Sequence, residues 1–183
     1  MNSKEIEVKR SPLKEMFCLA AALRKSDEPR RIWRAMELFR EVIRFDTDDS
    51  QESNYWKNLA AIELSLIYSA GIDNVTWVMN GGDDQSECNM EPDLLKAYGM
   101  ILTAVKNGCT DGVELIGELY VAIGDFGHAA EVFADVVRHG YKGAEESKKI
   151  LEEMVECGQI DSLPDLEKRR TLTVLVRKHR SVN

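Results

Sequence analysis

Apolar side chains recur every three to four positions along most of the chain, which is the spacing of an amphipathic helix. The stripe formed by Ala129, Phe133 and Val136 is a clear example. Glycine and proline residues divide this pattern into segments of helical length. The pattern therefore predicts eight helices, over about 12–25, 29–45, 54–70, 92–107, 110–123, 126–139, 142–157 and 164–179.

Residues 71–91 separate the third and fourth predicted helices and carry no helical pattern. Loops of that length are uncommon unless they serve a function or carry their own structure. The run from Thr171 to Val176 is β-branched and would also suit a strand. Its apolar residues fit one helical stripe as well, so we assign it to the last helix.

The sequence thus predicts three parts. Residues 1–10 are polar, and we expect a flexible N-terminus there. Residues 11–163 form a helical-repeat domain with its insertion at 71–91. Residues 164–183 form a basic C-terminal capping helix and tail.

Three of the predicted helices share one order of side chains. Each has an alanine, then a larger apolar residue four positions later, then a smaller apolar residue three positions after that. The triplets are Ala35, Phe39 and Val42; Ala97, Ile101 and Ala104; and Ala129, Phe133 and Val136. Small residues let two helices of a hairpin approach closely, and the larger ones fill the groove between them. The repetition predicts an all-α array of helical hairpins, each burying its apolar face against its neighbours.

The motif Ile116-Gly117-x-x-Tyr120 matches the Leu-Gly-x-x-Tyr of the tetratricopeptide (TPR) superfamily, and the stretch from Ala104 to Leu151 resembles its Sel1-like branch. The resemblance implies three or four hairpins, with seven or eight helices, stacked as a right-handed superhelix. It implies that these proteins bind other proteins or peptides, although fold alone does not fix function. The residues that would pack the repeat are Gly117, Tyr120, Gly124, Ala129, Phe133 and Ala144.

Charge is unevenly spread along the chain. The net charge is −8, yet six basic and no acidic residues follow Glu167. Residues 1–167 therefore hold 18 basic and 32 acidic residues. Such an acidic body repels nucleic acid and attracts basic surfaces. Solubility alone explains the acidity equally well.

No pattern in the sequence supports catalysis or metal binding. His128 and His139 are about three helical turns apart, too far to share a metal, and we interpret them as exposed or capping residues. Asp46 and Asp48 resemble the start of a calcium loop, but the glycine and the final glutamate of such a loop are missing. No serine or cysteine has a recognisable base in a known pattern. We therefore predict no enzymatic activity, no cofactor and no metal.

Cellular location follows from three features of the sequence. No stretch approaches the roughly twenty apolar residues of a membrane span. The charged N-terminus lacks the apolar run of a secretory signal. The cysteines form no C-x-x-C pair, so we expect reduced thiols at Cys18, Cys88, Cys109 and Cys157. We predict a cytoplasmic protein that does not bind membranes.

These observations predict a non-enzymatic protein–protein interaction module whose partner is a basic protein. The partner would bind on the concave face of the array or along 71–91. Trp77 in that loop suits a binding anchor, but we prefer the interpretation that it tucks back onto the neighbouring helices. The candidate contact residues are Trp77, Met79, Asp83, Asp84, Asp46, Asp48 and Asp49.

One concrete form of this hypothesis is a small bacterial immunity protein that neutralises a basic toxin domain. The alternative is a regulatory or assembly scaffold that binds a peptide. Nucleic-acid binding through the basic tail is disfavoured, because a lone basic helix on an acidic body makes a poor nucleic-acid site.

Overall fold

The computed structural model describes residues 11–46, 50–73 and 75–167, which contain eight α-helices. Two short 3-10 helices, Ser86–Cys88 and Thr110–Gly112, lie between them. The prediction of an all-α fold is confirmed. The helices are α1 (Pro12–Arg24), α2 (Pro29–Arg44), α3 (Gln51–Ala70), α4 (Val75–Met79), α5 (Leu94–Lys106), α6 (Val113–Ala122), α7 (Phe126–His139) and α8 (Ala144–Glu156).

Several helix starts differ from the sequence pattern. α6 begins three residues later than predicted, because Thr110–Gly112 form a 3-10 helix. α3 begins three residues early because the Ser50 side chain accepts a hydrogen bond from the backbone N–H of Ser53 at 3.2 Å, which caps the first turn. α4 lies inside the insertion, where the pattern predicted no helix.

Residues 164–167 are not helical, so the last predicted helix does not begin at Pro164. The Asp165 carboxylate accepts a hydrogen bond from the N–H of Glu167 at 3.0 Å, a local turn that competes with a helix. The rest of the predicted capping helix and tail, and the predicted flexible N-terminus at 1–10, lie outside the described residues.

The described residues fall into two compact units that divide between Asp93 and Leu94. In the first unit α1 packs against α2, α2 against α3, and α1 also touches α3. In the second unit α5 packs against α6, α6 against α7, and α7 against α8. Each unit has its own apolar core, and the single domain predicted over 11–163 stays a prediction.

The repeated triplets of the sequence lie at the centre of these cores. Each of the nine side chains is at most 1% exposed. They are Ala35, Phe39 and Val42 in α2, Ala97, Ile101 and Ala104 in α5, and Ala129, Phe133 and Val136 in α7. The shared order of small and large residues therefore reflects shared burial.

Close approach between α6 and α7 depends on Gly117. A Cβ at this position would lie 2.7 Å from Cε1 of Phe133, whose ring fills the space beside the glycine. Gly124 ends the hairpin's first helix in the left-handed region (φ +80°), and the N–H of Asp125 donates to the carbonyl of Tyr120 at 2.9 Å. The Tyr120 side chain is buried.

In the first unit, aromatic rings fill the space between the helices. Phe17 of α1 packs against Phe39 of α2, with ring centroids 5.6 Å apart. The same ring meets Trp56 of α3 at 5.3 Å. A guanidinium N–H of Arg40 donates to the Tyr68 hydroxyl at 2.8 Å and ties α2 to α3.

We expect Gly117→Ala to lower the free energy of unfolding by up to about 2 kcal/mol. Overpacking against Phe133 costs roughly 1–3 kcal/mol, and the better helix propensity of alanine returns only about 1 kcal/mol. Urea unfolding followed by circular dichroism measures the change. Gly99→Ala in α5 is the matched control, because a Cβ there meets no atom within 4 Å. It should stabilise the protein by about 0.5–1 kcal/mol. Stabilisation by both substitutions would refute the close contact.

Candidate functional site

The two ends of the insertion, residues 71–91, are joined through the backbone. The N–H of Ile72 donates to the carbonyl of Met90 at 2.7 Å, and the N–H of Met90 donates back to Ile72 at 2.8 Å. Gly71 has a φ of +73°, and a Cβ there would lie 2.5 Å from the Met90 carbonyl oxygen. Only glycine suits this position. The insertion is therefore closed at its base, at the C-terminal end of α3.

The second half of the insertion is attached to the first turn of α2. The Gln85 side-chain oxygen accepts a hydrogen bond from the N–H of Arg30 at 3.1 Å, and Gln85 is only 3% exposed. It satisfies one of the N–H groups that a helix start leaves without a partner. The indole N–H of Trp33 donates to the carbonyl of Cys88, which is itself buried. These bonds fix the 3-10 helix of the insertion against α2.

Trp77 stabilises the tip of the insertion. Its ring is half-buried and covers Gly82 so closely that no Cβ would fit there. The N–H of Gly82 donates to the Trp77 carbonyl at 3.0 Å. The structure therefore places this predicted contact residue partly inside the insertion, where it holds the loop together.

The opposite side of α4 presents an apolar face to solvent. Val75, Val78 and Met79 are 57%, 41% and 82% exposed. Residues at i, i+3 and i+4 share one side of a helix, and Trp77 lies on the other side. Nine large apolar side chains are exposed among the described residues, and three of these nine lie within the single turn of α4. We name Val75, Val78 and Met79 the α4 face.

Exposed carboxylates come before and after α4 along the chain. The insertion contains five acidic and no basic residues, namely Asp73, Asp83, Asp84, Glu87 and Glu91, and all five are exposed. Asp73 lies just before α4, and its carboxylate accepts a hydrogen bond from the N–H of Val75 at 2.8 Å. Asp83 and Asp84 follow α4, and Asp84 accepts from the N–H of Ser86 at 3.0 Å. The Glu87 carboxylate lies 3.6 Å from the guanidinium of Arg30.

The candidate contact residues are thus brought together only in part. Met79, Asp83 and Asp84 lie in the insertion with Trp77. Asp46 is exposed just after the C-terminal end of α2, whereas the insertion contacts the first turn of that helix, roughly 20 Å away by helix length. Asp48 and Asp49 lie outside the described residues.

The predicted packing residues of the repeat all lie in the second unit. Ala129 and Phe133 are fully buried in α7. Ala144 opens α8 and is half-buried, so it borders the core of its unit without lying inside it. The preceding Gly143 (φ +84°) leaves room for the carboxylate of Glu114, which lies directly against it.

A second group of carboxylates lies on α6 and α8. Partial burial and the nearby Glu146 raise the pKa of Glu114, while Lys142 opposes the shift. Partial burial and Glu114 raise the pKa of Glu118. The sequence pattern did not reveal this group, because Glu114 and Glu146 are distant in sequence and approach each other only through the fold.

His128 and His139 both have structural contacts. His128 Nδ1 lies 2.6 Å from the carboxylate of Asp125, the residue that caps α7. His139 Nδ1 lies 2.8 Å from the carbonyl oxygen of Asp135, near the end of the same helix. Among the described residues, no group of three or more histidine, cysteine or acidic side chains is arranged to hold a metal ion.

A buried ion pair in α7 includes an arginine that also contacts the segment after α8. The Asp135 carboxylate lies 2.6 Å from the guanidinium of Arg138, and both side chains are almost fully buried. Arg138 Nε also donates to the carbonyl of Asp165 at 2.8 Å. A buried charge needs such partners, so these residues have a structural explanation.

Comparisons of the chain with protein-family models, with curated proteins and with solved structures found no match. None of the described helices combines the length and the apolar character that crossing a bilayer requires. The four cysteines are free thiols.

We expect Glu114→Gln to raise the free energy of unfolding at pH 7 and to leave it nearly unchanged at pH 4. A raised pKa means that the folded protein holds the proton more tightly than the unfolded chain does. The associated stability is fully present below the unfolded pKa of about 4.3 and is lost as the pH rises through the folded value. Urea unfolding at both pH values measures this. Glu152→Gln on α8 makes the same change in charge and is the control. An equal gain at both pH values would contradict the explanation.

Proposed function

We propose that this protein is a non-enzymatic interaction module that binds a basic protein partner through the insertion. The observation that carries the proposal is the α4 face, an exposed apolar turn with carboxylates before and after it. Burial of apolar surface is the main favourable term in most protein–protein association, while the charged groups around it select the partner. A partner with basic groups around an apolar contact would fit this surface.

The attachment of the insertion supports the proposal. A flexible loop loses conformational entropy when it binds, and that loss weakens affinity. Here the base is closed by Ile72 and Met90, and the second half is bonded to Arg30 and Trp33. The insertion therefore presents the α4 face with much of that entropy already lost on folding.

The acidity of the insertion supports a basic partner in two ways. Opposite charges accelerate association and orient the two molecules before contact. The five carboxylates lie within a single short segment, where their fields add. The contact is small compared with a standard interface of about 1,600 Å². Binding through the insertion alone would consequently be transient and sensitive to salt.

We also propose that the hairpins are TPR-like repeats of the Sel1 type, stacked as a superhelix. The close approach of Gly117 to Phe133 and the shared burial of the three triplets support this proposal. An immunity protein that covers the basic surface of a toxin in the cytoplasm is one concrete form of the function. A scaffold that binds an apolar peptide is the alternative, and the α4 face favours it if charge proves unimportant.

The test is an affinity pull-down with the tagged protein from lysate of the cells that produce it, washed at about 0.1 M and about 1 M salt. The screening length falls from about 10 Å to about 3 Å between these conditions. The proposal predicts one dominant basic protein that is retained at low salt and released at high salt. Retention at about 1 M salt would support the peptide scaffold instead.

A variant with three fewer charges in the insertion tests whether the partner binds there. Asp83→Asn/Asp84→Asn/Glu91→Gln removes three charges while leaving oxygen acceptors in place, so the Asp84 turn can persist. We expect the affinity for the recovered partner to fall about tenfold, or roughly 1.4 kcal/mol. Glu152→Gln/Glu153→Gln/Glu156→Gln removes three exposed charges from α8 and should leave the affinity unchanged. Equal losses in both variants would show that only the overall charge matters.

A further inference from the structure

We infer that α4 docks against a basic amphipathic helix of the partner. The apolar stripe of that helix would cover Val75, Val78 and Met79. Lysine or arginine side chains beside the stripe would reach the carboxylates before and after α4. This inference rests on the proposed function and narrows the partner to one structural class.

The α4 face is exposed although a helix normally buries its apolar stripe. Met79 is 82% exposed, and the two valines on the same side are about half exposed. The helix cannot turn this face inward without displacing Trp77, whose ring is packed against Gly82 on the opposite side. The fold of the insertion therefore holds the apolar face outward.

The spacing of the face matches that of a helix surface. Side chains at i, i+3 and i+4 form a short ridge, and such ridges pack into the grooves of a second helix. Methionine is flexible and adapts to irregular gaps, which suits a position at the edge of the contact. An α4 of five residues is roughly 7.5 Å long, so about two turns of a partner helix would cover it.

Charge complementarity selects a cationic helix. Asp73 precedes α4 by two residues, and Asp83 and Asp84 follow it by four and five. Acidic residues thus come before and after α4 along the chain, and they would attract a partner helix that carries basic residues beside its apolar stripe. An acidic helix or an anionic membrane surface would be repelled. Addition of a strand is disfavoured, because the only described bridge, between Ile72 and Met90, is internal to the insertion.

The test uses three synthetic peptides of about fifteen residues, a length near the minimum for a helix in water. The first carries leucines at helical spacing with lysines beside them. The second has the same composition in an order without helical periodicity. The third replaces the lysines with glutamates. Each peptide is titrated against the full-length protein by calorimetry at about 0.1 M salt.

We expect the amphipathic cationic peptide to bind at least about tenfold more tightly than its scrambled form, and the acidic peptide not to bind. Met79→Gln, which keeps the size of the side chain, should lower the affinity for the amphipathic peptide about fivefold. Leu95→Gln on α5 is the matched control, because Leu95 is also 82% exposed. It should have no effect.

The outcomes separate this inference from the proposed function. Equal affinity for both cationic peptides, with no effect of Met79→Gln, would overturn helix docking and leave an electrostatic binding surface. Failure of every peptide to bind would also overturn helix docking, and the pull-down decides the proposed function independently. Equal effects of Met79→Gln and Leu95→Gln would overturn the assignment to the α4 face.

Discussion

The paired hydrogen bonds between Ile72 and Met90 join the two ends of the insertion, and the shape of the segment between them depends on that closure. Backbone N–H and C=O groups need partners, and a long segment without its own regular structure has few of them. Here the base supplies two bonds, and Gln85 and Cys88 supply more by bonding to α2. A segment that would otherwise sample many conformations becomes a defined surface on a helical hairpin. A helix as short as α4 is not stable on its own in water, so it depends on the rest of the insertion.

The helical cores show how much of the structure could be predicted from the sequence. Helices of three or more turns repeat their apolar stripe often enough for the period to be recognised. For this reason α2, α5 and α7 and their buried triplets follow the sequence pattern closely. Gly117 was predicted to be a packing residue from its place in the Ile-Gly-x-x-Tyr motif. The structure identifies Phe133 as the ring that approaches it.

The candidate site was harder to predict for physical reasons. α4 has little more than one turn, so its spacing of Val75, Val78 and Met79 is too brief to stand out from a loop. The bonds from Arg30 and Trp33 to the insertion each span 55 residues, and no local pattern reveals such contacts. The predicted start of the last helix at Pro164 was wrong. The Asp165 carboxylate forms a local turn, and the Asp165 carbonyl accepts a hydrogen bond from the Arg138 side chain. Local sequence patterns do not predict the structure where side chains distant in sequence supply the hydrogen-bond partners.

Hydrogen–deuterium exchange by mass spectrometry tests the central claim, that the insertion is the binding surface, most directly. The full-length protein would be compared alone and with a saturating amount of the cationic amphipathic peptide. The account predicts slower exchange in residues 72–91 and unchanged exchange across α6, α7 and α8. Protection confined to α6 and α8, where Glu114 and Glu146 lie, would contradict it and move the binding surface to the second unit.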